Sequence, residues 1–214
     1  MRSCLDGSKP NGTSVAVVIR KVSGFVERQQ AGVFMREVAF RWHQCEPPSL
    51  PDLVFIALAG TTIVGTVALD FADDTTPFSL EKIYEFNRAE TPFPFDRIRM
   101  AQYGRWMSTK PNVAAPLFYA ATLYAIGLKK MLGWFELKEP IVQHMRSFGF
   151  NPVPIPSARL MPERIARKEE SAYYTTDPPP TLYMVPLEHI RRALHDQVAE
   201  LVRKNFCHIN LGAG

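Results

Sequence analysis

The stretch from Leu53 to Phe71 constrains this chain most. LVFIAL (53–58) and TIVGTVALDF (62–71) are β-rich runs on either side of Ala59-Gly60-Thr61, which is the pattern of an antiparallel hairpin. Gly65 interrupts the second run and marks a place where backbone can approach closely. RIRMAQYGRWMS (97–108) mixes alternation with aromatic and branched residues and reads as a long central strand. Val113 to Leu132 is the most apolar helical segment, so it reads as a buried helix. An early hairpin with helices between later strands predicts a mixed α/β sheet.

The other elements are shorter. VAVVIR (15–20) reads as a first strand, and the spacing of Val26, Val33, Phe34, Val38 and Trp42 suits an amphipathic helix from Ser23. SLEKIYEF (79–86) is expected to be a short helix and Trp134–Leu137 a short strand. EPIVQHMRSF (139–148) reads as a helix stopped by Gly149. Asn151–Ile155 and TLYMVP (181–186) read as the last of about seven strands, and Leu187–Phe206 as a closing helix. Seven of the 18 prolines fall between residues 151 and 180, so that stretch is a structured loop or a wall of a site.

With 214 residues, 46% apolar and 21% charged, the chain suits one packed domain with an appended segment. The net charge of +4 is spread thinly, with 7 basic and 6 acidic residues in 1–70, 9 and 8 in 71–140, and 9 and 7 in 141–214. No basic stripe accompanies it, so nucleic acid is not the expected partner. The three cysteines form no Cys-x-x-Cys pair, and no histidine lies at zinc spacing. A reducing cytoplasm and no metal are expected. The N-terminal residues lack an apolar run of signal-peptide length, and no window reaches 18 apolar residues, so no membrane span is expected.

The element order, with four short motifs, resembles the acyl-CoA N-acyltransferase (GNAT) fold. More closely it resembles the branch of autoinducer (N-acylhomoserine lactone) synthases and N-acyl amino acid synthases. Val33-Phe34 through Phe40 is similar to the helix that covers the acyl donor there. Ile63-Val64-Gly65-Thr66 is similar to a strand motif of the superfamily, Gly149-Phe150 to its closing motif, and Gln102-Tyr103-Gly104-Arg105 stands where that branch has Glu-x-x-Arg. The resemblance implies a GNAT-like domain over 15–190 with a central twisted sheet, a flexible N-terminus over 1–14, and the 187–206 helix packed on the domain.

It also implies transfer of a medium or long acyl chain from a thioester to an amine, most plausibly that of an amino acid. The donor would be acyl-CoA or a phosphopantetheine thioester on acyl carrier protein. Two departures bear on this. Ser108-Thr109-Lys110-Pro111-Asn112 contains no glycine where the acetyl-CoA enzymes have a pyrophosphate loop, which favours a single-phosphate donor and an acyl carrier protein partner. Gln102 replaces a glutamate, so the branch's proposed base is missing. A short-chain acetyl-CoA-dependent N-acetyltransferase and a non-catalytic acyl-binding module of the same fold are the alternatives.

The expected site follows. Residues three apart on a regular strand face opposite ways, so Gln102 and Arg105 share a side only across a bulge, expected at Gly104, whose freed amide would face the thioester carbonyl. Gln102 would orient the amine or instead satisfy buried backbone, and Arg105 would pair with the acceptor carboxylate, Glu37 or Glu136. Ser108, Thr109 and Lys110 are candidates for the donor phosphate, with Tyr103, Trp106 and Met107 completing the donor side. Phe34, Phe40, Met100, Phe118 and Tyr119 are candidates for the acyl pocket. Arg97, Arg99, Lys129 and Lys130 are candidates for docking an acidic carrier, and Arg159, Tyr173 and Tyr174 for the acceptor side.

Overall fold

The computed structural model describes residues 16–45, 51, 53–165, 172–175 and 178–212, so the expected flexible N-terminus lies outside the described residues. The strands are β1 (Val17–Lys21), β2 (Leu53–Ala59), β3 (Thr62–Asp70), β4 (Tyr84–Glu85), β5 (Met100–Ser108), β6 (Leu132–Leu137), β7 (Val153–Pro154), β8 (Arg159–Leu160), β9 (Thr181–Pro186) and β10 (Cys207–Asn210). The helices are α1 (Phe25–His43), α2 (Ala114–Gly127), α3 (Glu139–Ser147) and α4 (Leu187–Arg203). Eight strands form one mixed sheet in the order β10-β1-β2-β3-β5-β6-β9-β7, and β4 pairs β8 separately.

The sheet is covered on both faces. On one face Ile19, Phe55, Val67, Leu69, Tyr103, Phe135 and Val185 meet the buried sides of α2, α3 and α4 in the largest core cluster. On the other face α1 lies over Val54, Ile56 and Ala68, and the 72–100 segment packs over Met100, Trp134, Leu182 and Met184. Helix α2 is apolar all round because it is enclosed between the sheet and α4, where Leu117, Phe118, Ala120 and Ala121 are all buried. Its Pro116 sits in the first turn, where a missing N–H costs nothing. A Cβ on Gly65 would lie 2.9 Å from Val113 Cγ1 and 3.1 Å from the Met107 carbonyl, so this glycine lets the start of α2 press onto β3.

Three elements differ from the sequence reading. Residues 79–86 form a single 3₁₀ turn, Ser79–Lys82, followed by strand β4. Glu81 caps the start of that turn by accepting the Phe78 N–H at 3.0 Å, and it pairs with Arg97 at 2.8 Å. Residues 97–99 form another such turn, capped by Asp96 accepting from the Ile98 N–H at 3.0 Å, and β5 begins after it. Beyond α4, Cys207–Asn210 adds a strand parallel to β1. Only Cys207 of these four residues is buried, so an edge strand this polar carries little hydrophobic signal.

Candidate functional site

The sheet splits between β5 and β6. These strands pair in parallel from Met100↔Leu132 to Tyr103↔Phe135 and no further. Each then continues on its outer neighbour, β5 reaching Gly65↔Ser108 on β3 and β6 reaching Leu137↔Thr181 on β9. The seam therefore opens from Gly104 on one side and Glu136 on the other, leaving strand-edge backbone facing a notch.

A bulge lies at the same place. Ala68 faces Gly104 and Thr66 faces Met107, so two steps on β3 span three on β5. The left-handed residue is Arg105, at φ 54°, and not Gly104. The buried Thr66 hydroxyl holds the distortion by donating to the Arg105 carbonyl at 2.9 Å. The bulge places the Arg105 side chain beside Glu136, Tyr173 and Tyr174, whose pKa values its charge lowers. Its Nε is buried with no hydrogen-bond partner among the described residues. Glu37, one of its expected partners, is exposed on α1.

Glu136 is the centre of this group. Tyr84 Oη lies 2.8 Å from its Oε1, and Tyr174 Oη donates to its Oε2 at 3.2 Å. Burial pushes the carboxyl up to about 7 from the ordinary 4.5, against those two hydrogen bonds and the charges of Arg105 and Lys138. Lys138 Nζ sits 4.0 Å over the Tyr173 ring, and burial lowers its pKa. His43, at the end of α1, meets the edge of Tyr173 with ring centroids 5.3 Å apart, and burial followed by the Lys138 charge lowers its pKa.

A stability prediction follows. The native Glu136 carboxyl holds its proton to higher pH than the unfolded one, so stability falls as pH rises from about 4.5 to about 7. Glu136→Gln is expected to remove that fall, worth about 3 kcal/mol. Urea titrations should find the variant the more stable protein at pH 8 and without that advantage at pH 4.5.

Gln102 is committed elsewhere. Its Oε1 accepts the Leu80 N–H at 3.1 Å, and its Nε2 donates to Ser79 Oγ at 2.6 Å and Asp70 Oδ2 at 3.2 Å. These bonds latch the 79–82 turn to β5, and a glutamate here would set a second carboxylate beside Asp70. Tyr103 points into the opposite core face, where its hydroxyl reaches Thr122 Oγ1 at 3.2 Å. Trp106 lies on that face too, donating to the Ala114 carbonyl at 3.1 Å and stacking near Phe118 and His144.

The donor candidates meet a second feature. Ser108, Thr109, Lys110 and Pro111 line a cleft of about 730 Å³ together with Arg41 and Trp42 from the end of α1. The Thr109 N–H donates to the Val64 carbonyl at 2.9 Å, so that amide is spent on the sheet. Arg41, which nothing in the sequence singled out, joins Lys110 as a second cation. Met107 packs toward α1 with Phe34.

The acyl-pocket candidates are not brought together. Phe34 lies on α1, half-buried against the Val54, Ile56 and Ala68 cluster, Phe40 is 62% exposed, and Met100 is buried in the cluster around Trp134. Phe118 is in the α2 core, and Tyr119 turns away to hydrogen-bond His195 Nδ1 at 2.9 Å. The carrier-docking candidates stand at the other end of β5. Arg97 is paired with Glu81, Arg99 with Asp96, and Lys130 Nζ with the Ile98 carbonyl. They flank the start of β5, about 25–30 Å along the strand from the cleft at its end. Arg159 lies on β8 opposite Glu85 and lines a separate cleft with Tyr84, Phe86 and Arg164. Tyr84, expected on a helix, is the residue the sequence reading missed; the absent β5 carboxylate was the signal to look for an acid with partners on the next strand.

Among the described residues, no group of three or more His, Cys, Asp or Glu could hold a metal ion, and no helix is long and apolar enough to cross a membrane. No protein-family model matches the chain, and no curated protein does. Solved structures do. A CoA-dependent acyl-homoserine lactone synthase, BjaI, with SAM and isopentyl-CoA is similar over 93% of this chain and 96% of that one, at a TM-score of 0.64 and 13% identity. TofI in an apo form matches over 84% and 95%, at 0.59 and 13%. An N-acetyltransferase from Lactobacillus plantarum matches over 80% and 99%, at 0.51 and 11%. At these identities the likeness concerns the fold. This chain has the acyl-CoA N-acyltransferase fold that these synthase and N-acetyltransferase structures share.

Proposed function

We propose that the protein is an N-acyltransferase that moves a medium or long acyl chain from a thioester to the amine of an amino acid. The observation that carries this reading is the notch between β5 and β6, with a guanidinium whose Nε has no hydrogen-bond partner among the described residues and a carboxylate held by two phenols at its mouth. The neighbours, by their names, include acyl-homoserine lactone synthases and an N-acyl amino acid synthase, FeeM, at a TM-score of 0.50, which supports acyl transfer. Strand-edge backbone at the notch can hold the thioester and stabilise its oxyanion without a covalent enzyme intermediate. Arg105 suits the acceptor carboxylate through a two-pronged contact. Arg41, Lys110 and Ser108 suit a phosphate of the pantetheine arm, whether on coenzyme A or on acyl carrier protein.

Decanoyl-CoA and decanoyl carrier protein, each offered with a panel of amino acids, test this by thiol release and by mass spectrometry of the N-acyl product. Thiol release with an N-decanoyl amino acid is the expected result. Turnover with acetyl-CoA alone would replace it with the short-chain reading. The commitment of Gln102 to three hydrogen bonds favours a second reading, a non-catalytic acyl-binding module, which predicts decanoyl-CoA binding without thiol release. On the catalytic reading, replacing both Arg41 and Lys110 with alanine is expected to raise the donor KM roughly 2–5-fold per exposed cation. The effect should shrink at high salt, with kcat unchanged.

A further inference from the structure

The structure assigns Glu136 as the group that takes the proton of the attacking amine, on the strand opposite the one where Gln102 stands. This rests on the acyl-transfer reading above. Gln102 has no titratable proton and its amide is used in holding the 79–82 turn. Glu136 lies two residues past Trp134, the partner of Gln102, on the same face of the sheet and just beyond the last β5–β6 pair. It is therefore the first carboxylate on the far lip of the notch.

Its surroundings suit the task. Each carboxylate oxygen has one phenol, Tyr84 on Oε1 and Tyr174 on Oε2, and each keeps a second lone pair for another donor. The Tyr84 hydroxyl also lies 2.9 Å from the Pro180 carbonyl. With one proton and two acceptors, it donates to the carboxylate when Glu136 is charged and to Pro180 when Glu136 is protonated and becomes the donor. Both protonation states of Glu136 thus have a complete hydrogen-bond arrangement, which a residue that cycles a proton needs. The charged or titratable groups around it are Arg105 from β5, Lys138 after β6, Tyr84 from β4, and Tyr173 and Tyr174 from the 172–174 turn. His43 and Cys45, at the end of α1, act on it through Tyr173 and Lys138.

The step balances as follows. The acceptor enters as an ammonium and gives one proton to Glu136. The free amine attacks the thioester carbonyl carbon, forming the C–N bond, and the tetrahedral intermediate collapses by breaking the C–S bond. The departing thiolate takes the second nitrogen proton, leaving an amide and a thiol. Glu136 returns its proton to solvent. A carboxyl that titrates near neutrality is matched to this work at physiological pH.

The test is kcat against pH for the full chain with decanoyl-CoA and the best amino acid of the panel. Wild type is expected to show an acidic limb near pH 7, and Glu136→Gln a kcat lower by roughly 10²-fold or more at pH 7. The deficit should narrow above pH 9, where the amine is already neutral, and Glu136→Asp should recover part of the rate with its own limb. Gln102→Ala should leave the limb in place. A Glu136→Gln variant as active as wild type across pH 6–9 overturns the assignment while the acyl-transfer reading stands. Equal loss at every pH, pointing to a positioning role, overturns it too. Wild type that releases no thiol with any amine removes both.

Discussion

Arg105→Gly is expected to raise the KM for the amino acid acceptor by roughly 10–150-fold, the equivalent of the 1.5–3 kcal/mol of a hydrogen-bonded charge pair. The donor KM should stay where it is. Glycine is the informative replacement because Arg105 occupies φ 54°, a conformation glycine adopts without strain. The Thr66 hydroxyl holds the backbone carbonyl and not the side chain, so the bulge survives the change. Thermal stability should therefore be kept, which separates loss of the guanidinium from loss of the site. Removing its charge also takes away one of the influences that hold the Glu136 pKa down, so the acidic limb of kcat should move to higher pH. Arg105→Lys keeps the charge without the planar fork and should fall between the two. An acceptor KM unchanged in the glycine variant would mean that the acceptor carboxylate is held elsewhere.

Phe118→Ala is expected to cost about 3–5 kcal/mol of stability, or roughly 6–20 °C in Tm for a chain of this size. The ring is 1% exposed and stands among Tyr103, Trp106, Phe135 and Phe150, at centroid distances of 5.1, 4.7, 5.8 and 5.7 Å. Those partners come from β5, β6 and the segment after α3, so the cavity would open where three elements meet. Phe118→Leu, a milder loss, should leave the order of preference among octanoyl, decanoyl and dodecanoyl donors unchanged, because the ring is enclosed in the core under α2. A shifted order would return Phe118 to the acyl pocket.

The contrast between these two residues shows what the sequence can carry. The hairpin, β5 and α2 are legible because burial writes itself into the composition of each segment, as VFIAL and AAPLFYAATLYAIG do. The same signal cannot separate a pocket from a core. Phe118 and Met100 look alike in sequence to a residue lining a channel, yet their surroundings are set by strands far along the chain. The left-handed bulge residue was illegible for a related reason. Local preference points to Gly104, but the strain at Arg105 is held by Thr66, 39 positions away. Glu136 was visible as a carboxylate near Arg105. What makes it unusual is not local: Tyr84 is 52 residues before it and Tyr174 is 38 after. Strand β4, two residues long and paired with β8, carries Tyr84 and has too little length for any periodicity to show.

The parallel pairing of β10 with β1 has a consequence for biosynthesis. Val17 gains its neighbour Cys207 only after 190 further residues have been made, which takes a ribosome roughly 10–40 s. Until then one side of β1 has its hydrogen-bonding groups unfilled, while β2 covers the other side early. A nascent chain in that interval offers an open strand to whatever else is extended nearby, including another copy of itself. Slow translation or a premature stop before residue 207 therefore exposes the N-terminal half of the sheet to intermolecular pairing, even though the notch and its residues are already encoded upstream.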